Sequence, residues 1–213
     1  MFETLSKFFI TGGFFMIPLG ACSVVTLAII IERGLALRRA RIVKDSLARA
    51  IADLGYGDKT LLIEQLSADQ QTVLARLVRS CLLYLPWTKA ENTEALQTKA
   101  RAEVSQMERG LVFLEIVVGI GPLLGLLGTI SGLITIFAHV ADSGGLATQG
   151  MLIAKGISEA LHTTVAGLVV AIPAAVAHSL YARRVDDYSV ELETLCVDLL
   201  GKLYSESEET AAN

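Results

Sequence analysis

The chain has 213 residues, of which 53% are hydrophobic and only 19% are charged, and its formal net charge is −4. Soluble domains carry about a quarter charged residues, whereas residues 8–31, 116–141 and 160–182 contain no Asp, Glu, Lys or Arg. Each stretch exceeds the roughly 18 apolar residues that cross a bilayer core as a helix. The composition excludes a soluble enzyme, a secreted disulfide scaffold and a disordered chain. It predicts an all-α, polytopic membrane protein with three transmembrane helices.

The first apolar stretch is interpreted as a retained helix. Residues 19–22 read LGAC, which is similar to a lipoprotein cleavage site. However, the preceding region is nearly neutral and the apolar run continues to Ile31, whereas a signal peptide has a basic start and a shorter core.

The basic residues predict the orientation of the spans. Of the 18 Lys and Arg residues, 13 lie between Arg33 and Arg109, and two more follow the third stretch at positions 183 and 184. The connection between the second and third stretches contains only Lys155. Because cytoplasmic segments are enriched in Lys and Arg, we expect a periplasmic N-terminus and a cytoplasmic C-terminus. The predicted organisation is an outside segment and first span (1–32), a cytoplasmic helical region (33–115), the second span (116–141), a short periplasmic loop (142–158), the third span (159–182) and a cytoplasmic amphipathic helix with an acidic tail (183–213).

Two cytoplasmic helices are predicted beside the spans. Residues 88–115 contain no Pro and many strong helix formers, so we expect them to join the second span as one long helix. After the third span, apolar residues recur at steps of three and four from Val185 to Leu203. This spacing predicts an amphipathic helix that packs on a partner helix or on residues 88–115, followed by an acidic, solvated tail.

Small residues line one side of both later spans. They are Gly121, Gly125, Gly128 and Gly132 in the second span, and Ala160, Thr164, Gly167, Ala171 and Ala174 in the third, where His178 continues the same spacing. Such strips allow close helix packing. The prolines inside these spans, Pro122 and Pro173, favour a packed bundle in which neighbours satisfy the freed backbone groups. Because three helices offer few internal partners, we expect part of this surface to contact other copies of the chain.

Polar residues within spans are candidate functional groups. Thr129 lies near the centre of the second span, and Thr163 and Thr164 lie in the outer part of the third. Each Thr could line an ion path or simply bond a carbonyl of its own helix one turn earlier. Glu159 at the outer end of the third span could serve an ion path, or could be a solvated boundary residue favoured by the helix N-terminus.

The sequence favours no enzyme, cofactor or nucleic-acid site. Glu159 and His162 form one Glu-x-x-His pair, whereas di-metal helical bundles need two such pairs and two further Glu residues. We therefore expect no metal. Phosphate-binding loops, nucleophile elbows and zinc motifs are missing from the sequence, and its basic residues lack interleaved aromatic residues.

Two segments carry a family resemblance. Residues 121–129 read GPLLGLLGT, and residues 156–174 read GISEALHTTVAGLVVAIPA. In order, spacing and proline placement these resemble the MotA/TolQ/ExbB proton channel family, and three spans are similar to its ExbB/TolQ branch. The family's pore-lining threonines map onto Thr129 and Thr164, and its glutamate onto Glu159. Departures are Ser131, where many relatives carry Trp, and His162, where an apolar or small residue is usual.

The resemblance implies an inner-membrane homopentamer around single-span helices of an ExbD- or TolR-like partner that carries a membrane Asp. Such complexes use the proton-motive force to drive a TonB- or TolA-like transducer for outer-membrane import or envelope maintenance. Two alternatives stay open from the residues themselves. One is a structural membrane scaffold held by glycine seams, and the other is an intramembrane enzyme built on Glu159 and His162.

Overall fold

The computed structural model describes residues 14–54, 59–142 and 149–212, with side chains described except at 139–142, 149, 152, 159 and 206–212. Within these ranges the chain forms helices and no strand, so the predicted all-α class is confirmed. The helices are α1 (Met16–Ala36), α2 (Arg39–Ile42), α3 (Asp45–Ala52), α4 (Thr60–Ala68), α5 (Val73–Leu83), α6 (Lys89–Glu108), α7 (Leu111–Asp142) and α8 (Gln149–Ala212).

Three of these helices are long and apolar enough to cross a membrane, as predicted. By length and composition the spans are Met16–Ala36, Leu111–Ala138 and a part of Ile153–Ser205. Large apolar side chains stay exposed along them, for example those of Ile17, Leu123 and Val169. A soluble protein would bury such residues, whereas a membrane protein can present them to lipid or to another subunit. The chain is therefore a polytopic membrane protein.

The chain divides into two compact units. The apolar unit comprises Met1–Glu32 and Gly110–Leu180, and the polar unit comprises Arg33–Arg109 and Tyr181–Asn213. The core of the polar unit is formed by fully buried aliphatic side chains, among them Leu47, Ile51, Leu62, Leu74, Leu77 and Leu199. Helix α6 begins with a capping box, in which Thr88 Oγ1 accepts from Glu91 N and Glu91 Oε2 accepts from Thr88 N.

The expected single helix over residues 88–115 is wrong. Helix α6 ends at Glu108 and α7 begins at Leu111. Gly110 lies between them with a φ of 85°, a left-handed conformation that favours glycine. Helices commonly end at such a residue, because the left-handed backbone redirects the chain and lets nearby N–H groups satisfy the last carbonyls. The signal in the sequence was Gly110 itself, placed after twenty residues of strong helix formers.

Substituting Gly110 with Ala is expected to destabilise the protein by about 1–2 kcal/mol, because a Cβ disfavours the left-handed conformation by that amount. Thermal unfolding of the purified protein in detergent measures this as a lower Tm. Gly201→Ala is the matched control, since Gly201 lies inside α8 and a Cβ there would meet no atom within 4 Å. A Gly110→Ala variant as stable as Gly201→Ala would contradict the assigned backbone role.

Helix α8 is longer than expected at both ends. Residues 149–158, which we predicted as part of the loop, form its first turns, and helix continues to Ala212 through the predicted tail. In the polar unit this later part of α8 packs beside α6. Leu192 and Leu203 are buried there, and Asn92 Nδ2 donates to Tyr204 Oη at 3.0 Å. The C-terminal part of α8 therefore packs on the helix within residues 88–115 of the same chain, which is one of the two predicted alternatives.

Asp69 stabilises the start of α5 in a pH-dependent way. Burial opposes ionisation, but bonds from Thr72 Oγ1, Thr72 N and Gln71 N outweigh it, so the pKa of Asp69 lies below its usual 3.8. A depressed carboxyl pKa contributes stability above the unfolded pKa, and this is lost as pH falls through the folded pKa. We expect Asp69→Ala to cost about 1 kcal/mol near pH 7, and the difference from wild type to shrink below about pH 4. The exposed Asp53→Ala is the control, and a pH-independent Asp69 effect in chemical unfolding would contradict this account.

Candidate ion pathway

The small-residue strips of α7 and α8 form the tightest helix contact in the apolar unit. A Cβ placed on Gly121 would lie 3.3 Å from Ala171 Cβ. About three turns further along α7, a Cβ on Gly132 would lie 2.9 Å from Ala160 Cβ, about three turns earlier in α8. Equal steps in opposite directions mean that the two helices run antiparallel with their small residues in register.

Backbone approaches backbone in the middle of this contact. A Cβ on Gly125 would lie 2.9 Å from Thr163 O, and one on Gly167 would lie 3.2 Å from Gly125 Cα. A Cβ on Gly128 would lie 2.8 Å from Thr163 Cβ. Real Cβ atoms are rarely found this close to another atom. A side chain at these positions would clash with the neighbouring helix, so glycine fits best there.

The structure differs from the expectation that part of these strips contacts other copies. Both strips face each other within one chain, because two helices with the same four-and-three spacing of small residues complement each other. Pro122 is half-buried within α7 and Pro173 is exposed within α8. The surface left for other molecules carries the larger side chains of the spans.

A cluster of hydroxyl groups lies at the centre of the α7–α8 contact. The hydroxyls of Thr129 and Thr164 are hydrogen-bonded to each other across the two helices. Thr129 Oγ1 also lies 3.1 Å from Gly125 O and 3.3 Å from Ala160 O, and Thr164 Oγ1 lies 3.2 Å from Gly125 O. Both threonines are half-buried, so one side of the pair is accessible from outside the chain. The intrahelical bond of Thr129 that we considered as an alternative is present, and interhelical bonds accompany it.

Thr163 occupies a different environment from its two neighbours in the cluster. Its side chain is only 2% exposed and packs directly against Gly128. Its hydroxyl lies 2.7 Å from Ala160 O and 3.1 Å from Gly125 O. Because each hydroxyl has one proton, Thr163 can donate to only one of these two oxygens at a time, and both oxygens also lie within hydrogen-bond distance of Thr129 Oγ1. Its position fits helix packing and orientation of the cluster better than direct contact with an ion.

The remaining sequence-predicted groups lie on the earlier turns of α8. Glu159 belongs to α8, but its side chain is outside the described residues. The Nδ1 atom of His162 lies 2.5 Å from Ser158 O, one turn earlier. Among the described side chains, no group of three or more His, Cys, Asp or Glu residues is placed to hold a metal ion.

Sequence analysis missed a polar residue on the packed face of α1. Met16 and Leu19 of α1 pack with Ala166 of α8 and against Leu124 of α7. Thr26 lies seven residues after Leu19, on the same face, and is only 4% exposed. Its hydroxyl has no hydrogen-bond partner among the described residues. The signal was this seven-residue spacing, which places Thr26 on the buried side of the helix.

Comparison with known proteins identifies the family of this chain. The sequence profile of the MotA/TolQ/ExbB proton channel family matches residues 69–194, more than half of the chain. A putative biopolymer transport protein, ExbB-like 1, of a Synechocystis strain is 33% identical over 165 residues, which cover 77% of this chain and 65% of that protein. ExbB-like 3 of the same strain is 32% identical over 177 residues (81% and 84%). The biopolymer transport protein exbB1 of Vibrio cholerae is 32% identical over 179 residues (83% and 78%). This three-span chain, with a hydroxyl cluster between its two glycine-rich helices, belongs to the MotA/TolQ/ExbB proton channel family.

Proposed function

We propose that this chain is the channel-forming stator subunit of an inner-membrane complex of the ExbB–ExbD or TolQ–TolR type. It would convert proton-motive force into work on a TonB- or TolA-like transducer, for outer-membrane import or envelope maintenance. The observation that carries this proposal is the half-buried Thr129–Thr164 hydroxyl pair, held between two packed apolar helices of a proton-channel family member.

The proposed pathway needs a second protein. Residues 116–141 and 160–182 contain three histidines (His139, His162 and His178) but no Asp, Glu, Lys or Arg, and none of the hydrogen bonds described for Thr129 and Thr164 goes to a histidine. Proton transfer through a membrane centre generally uses a titratable group. A single-span partner with an Asp in its membrane helix would supply it. The hydroxyls of Thr129 and Thr164, contributed by each copy of the chain around the partner helix, would hydrogen-bond that carboxyl group as it takes up and releases protons. Each proton crossing would deliver about 2.3 kcal/mol per 100 mV of membrane potential.

The other two candidate residues have proposed supporting roles. Glu159 would tune proton access from the periplasmic side, the side on which the third span begins under the orientation expected from the basic residues. The buried Thr163 would donate to the carbonyl oxygen of Gly125 or Ala160 and so help to position the helices around the half-buried Thr129 and Thr164.

The proposed assembly is a homopentamer around the partner helices. The glycine strips are occupied within the chain, so contacts between copies would use the exposed large side chains of the spans, such as Ile130, Phe137 and Leu168. A structural scaffold would use the same surfaces, but the scaffold alternative gives no reason for paired hydroxyls at an accessible position.

Native mass spectrometry of the complex purified gently from its own membranes tests the assembly. We expect five copies of this chain with a substoichiometric, single-span protein that carries an Asp in its span. A bare oligomer without such a companion, even after cross-linking in cells, would contradict the proposal and favour the scaffold.

A further inference from the structure

A cavity of about 910 Å³ lies wholly within the polar unit. Its walls come from the last turn of α1, from α2, from the segment before α5, and from α5 and α6. Its ionisable lining consists of four basic and two acidic side chains, namely Arg33, Arg41, Lys44, Arg76, Asp69 and Glu103. None of these residues belongs to the candidate ion pathway.

One basic side chain of this cavity is neutralised by a carboxylate. Arg76 Nε donates to Glu103 Oε1 at 2.7 Å, and Arg76 Nη2 donates to Glu103 Oε2 at 2.5 Å. The two side chains therefore form a bidentate ion pair with no net charge. The other carboxylate, that of Asp69, accepts three hydrogen bonds from Thr72 and Gln71 and is thereby fixed at the start of α5.

The other three basic residues of the lining, Arg33, Arg41 and Lys44, have different partners. Arg33 Nη1 donates to the backbone oxygens of Gln106 (3.3 Å) and Met107 (3.2 Å), which are neutral acceptors at the end of α6. In the described part of the chain, Arg41 and Lys44 form no ion pair within 4.0 Å. Arg41 is exposed and Lys44 is half-buried. With Arg76 and Glu103 paired, Arg41 and Lys44 contribute two positive charges to the lining against the one negative charge of Asp69.

We propose that this cavity binds a phosphate-bearing anion, with Arg41 and Lys44 as its main ligands and Arg33 as the adjoining wall. A phosphate group offers several oxygen acceptors in three dimensions, and Arg and Lys are the side chains that proteins use for it. The cavity is far larger than a single phosphate ion, so a phosphate attached to a larger group fits it. Arg33 belongs to the final turn of the apolar helix α1, and basic pockets at the cytoplasmic ends of spans bind anionic lipid headgroups.

The same chemistry has two sources, a lipid headgroup or a soluble phosphate, and the experiment has one arm for each. The test variant is Arg41→Gln with Lys44→Gln, which leaves the structural Arg33 in place. The control variant is Arg49→Gln with Lys89→Gln, which removes two exposed basic residues outside the cavity. The oligomer is purified intact and reconstituted in nanodiscs of phosphatidylcholine with one-fifth phosphatidylglycerol, and retained lipid is counted by native mass spectrometry. In the second arm, inorganic phosphate is titrated into the detergent-solubilised protein and Tm is recorded.

A lipid site predicts that the test variant retains at least about fivefold less phosphatidylglycerol than wild type and the control variant, because two charged contacts are lost. A soluble-ligand site predicts equal lipid retention, but a phosphate-dependent rise in Tm that the test variant lacks. Either result supports the site. If wild type, test and control variants behave alike in both arms, the proposal is wrong. Both arms measure binding without proton transport, so their outcome is independent of the proposed channel function.

Discussion

Replacing Thr129 with Val is expected to lower proton flux through the assembled complex by at least about tenfold. The substitution keeps the branched shape of the side chain, so the α7–α8 contact is preserved while the hydroxyl is lost. A hydrogen bond to a charged group contributes about 1.5–3 kcal/mol, and 1.36 kcal/mol corresponds to a tenfold change. Flux is measured with a pH-sensitive dye in proteoliposomes that contain the complex with its partner, under an imposed potential.

Thr135→Val is the matched control for this prediction. Thr135 lies on the same helix, is exposed, and donates to Ser131 O of its own helix at 3.0 Å. Its loss is expected to change flux by less than about twofold, because this exposed hydroxyl is not part of the Thr129–Thr164 pair and water can replace its hydrogen bond. Wild-type flux in a correctly assembled Thr129→Val complex would rule out the pore role of this hydroxyl.

Replacing Gly167 with Ala is expected to destabilise the apolar unit by about 1–3 kcal/mol or more, which is the usual cost of overpacking. The added Cβ would lie 2.5 Å from Gly121 O and 3.2 Å from Gly125 Cα. Both neighbours are backbone atoms, so relief requires the two helices to separate. Separation would also pull the hydroxyls of Thr129 and Thr164 apart. The measurement is Tm in detergent, together with the yield of intact oligomer.

Gly119→Ala distinguishes this steric effect from a general effect of Ala in a membrane helix. Gly119 also lies within α7, but a Cβ there would meet no atom within 4 Å outside its own helix. Ala has the higher helix propensity, by about 1 kcal/mol, so this variant should be as stable as wild type or slightly more stable. Equal stability of the Gly167→Ala and Gly119→Ala variants would contradict the close contact.

The spans and their small-residue strips could be predicted because they follow from composition and helical periodicity. Three charge-free stretches correspond to α1, α7 and the early part of α8. The spacing of Gly121, Gly125, Gly128 and Gly132 places them on one side of α7 whatever the rest of the fold does. These properties are local, so a single sequence contains them.

The partner of each strip could not be predicted, because periodicity shows which residues share a face and not what covers it. We expected other copies to cover part of the glycine surface, whereas α8 covers that of α7. For the same reason, the sequence predicts the same candidate role for Thr163 and Thr164. A rotation of 100° between adjacent residues turns Thr163 towards Gly128 and leaves Thr164 half-buried.

The break at Gly110 was missed for another reason. A lone glycine in a helical pattern is compatible with a continuous helix at a modest cost, and also with a helix end. Whether the helix continues through the glycine or ends there depends on how the flanking helices pack, which is a tertiary property. The burial of Thr26 could not be predicted for the same reason. It results from packing of the face of α1 that carries Met16 and Leu19 against α7 and α8, which is also a tertiary property.

The hydroxyl cluster between α7 and α8 has more contacts than protons. One contact joins Thr129 to Thr164, and five join the hydroxyls of Thr129, Thr163 and Thr164 to the oxygens of Gly125 and Ala160, but only three hydroxyl protons are available for these six contacts. Several orientations of the hydroxyls therefore satisfy the cluster almost equally well. In the proposed complex, this choice of orientations would let a hydroxyl turn towards the partner's carboxyl group and back by rotation about one side-chain bond. The local reorganisation energy for receiving a charge would then be small, because hydrogen bonds could change partners while the helices stay rigid.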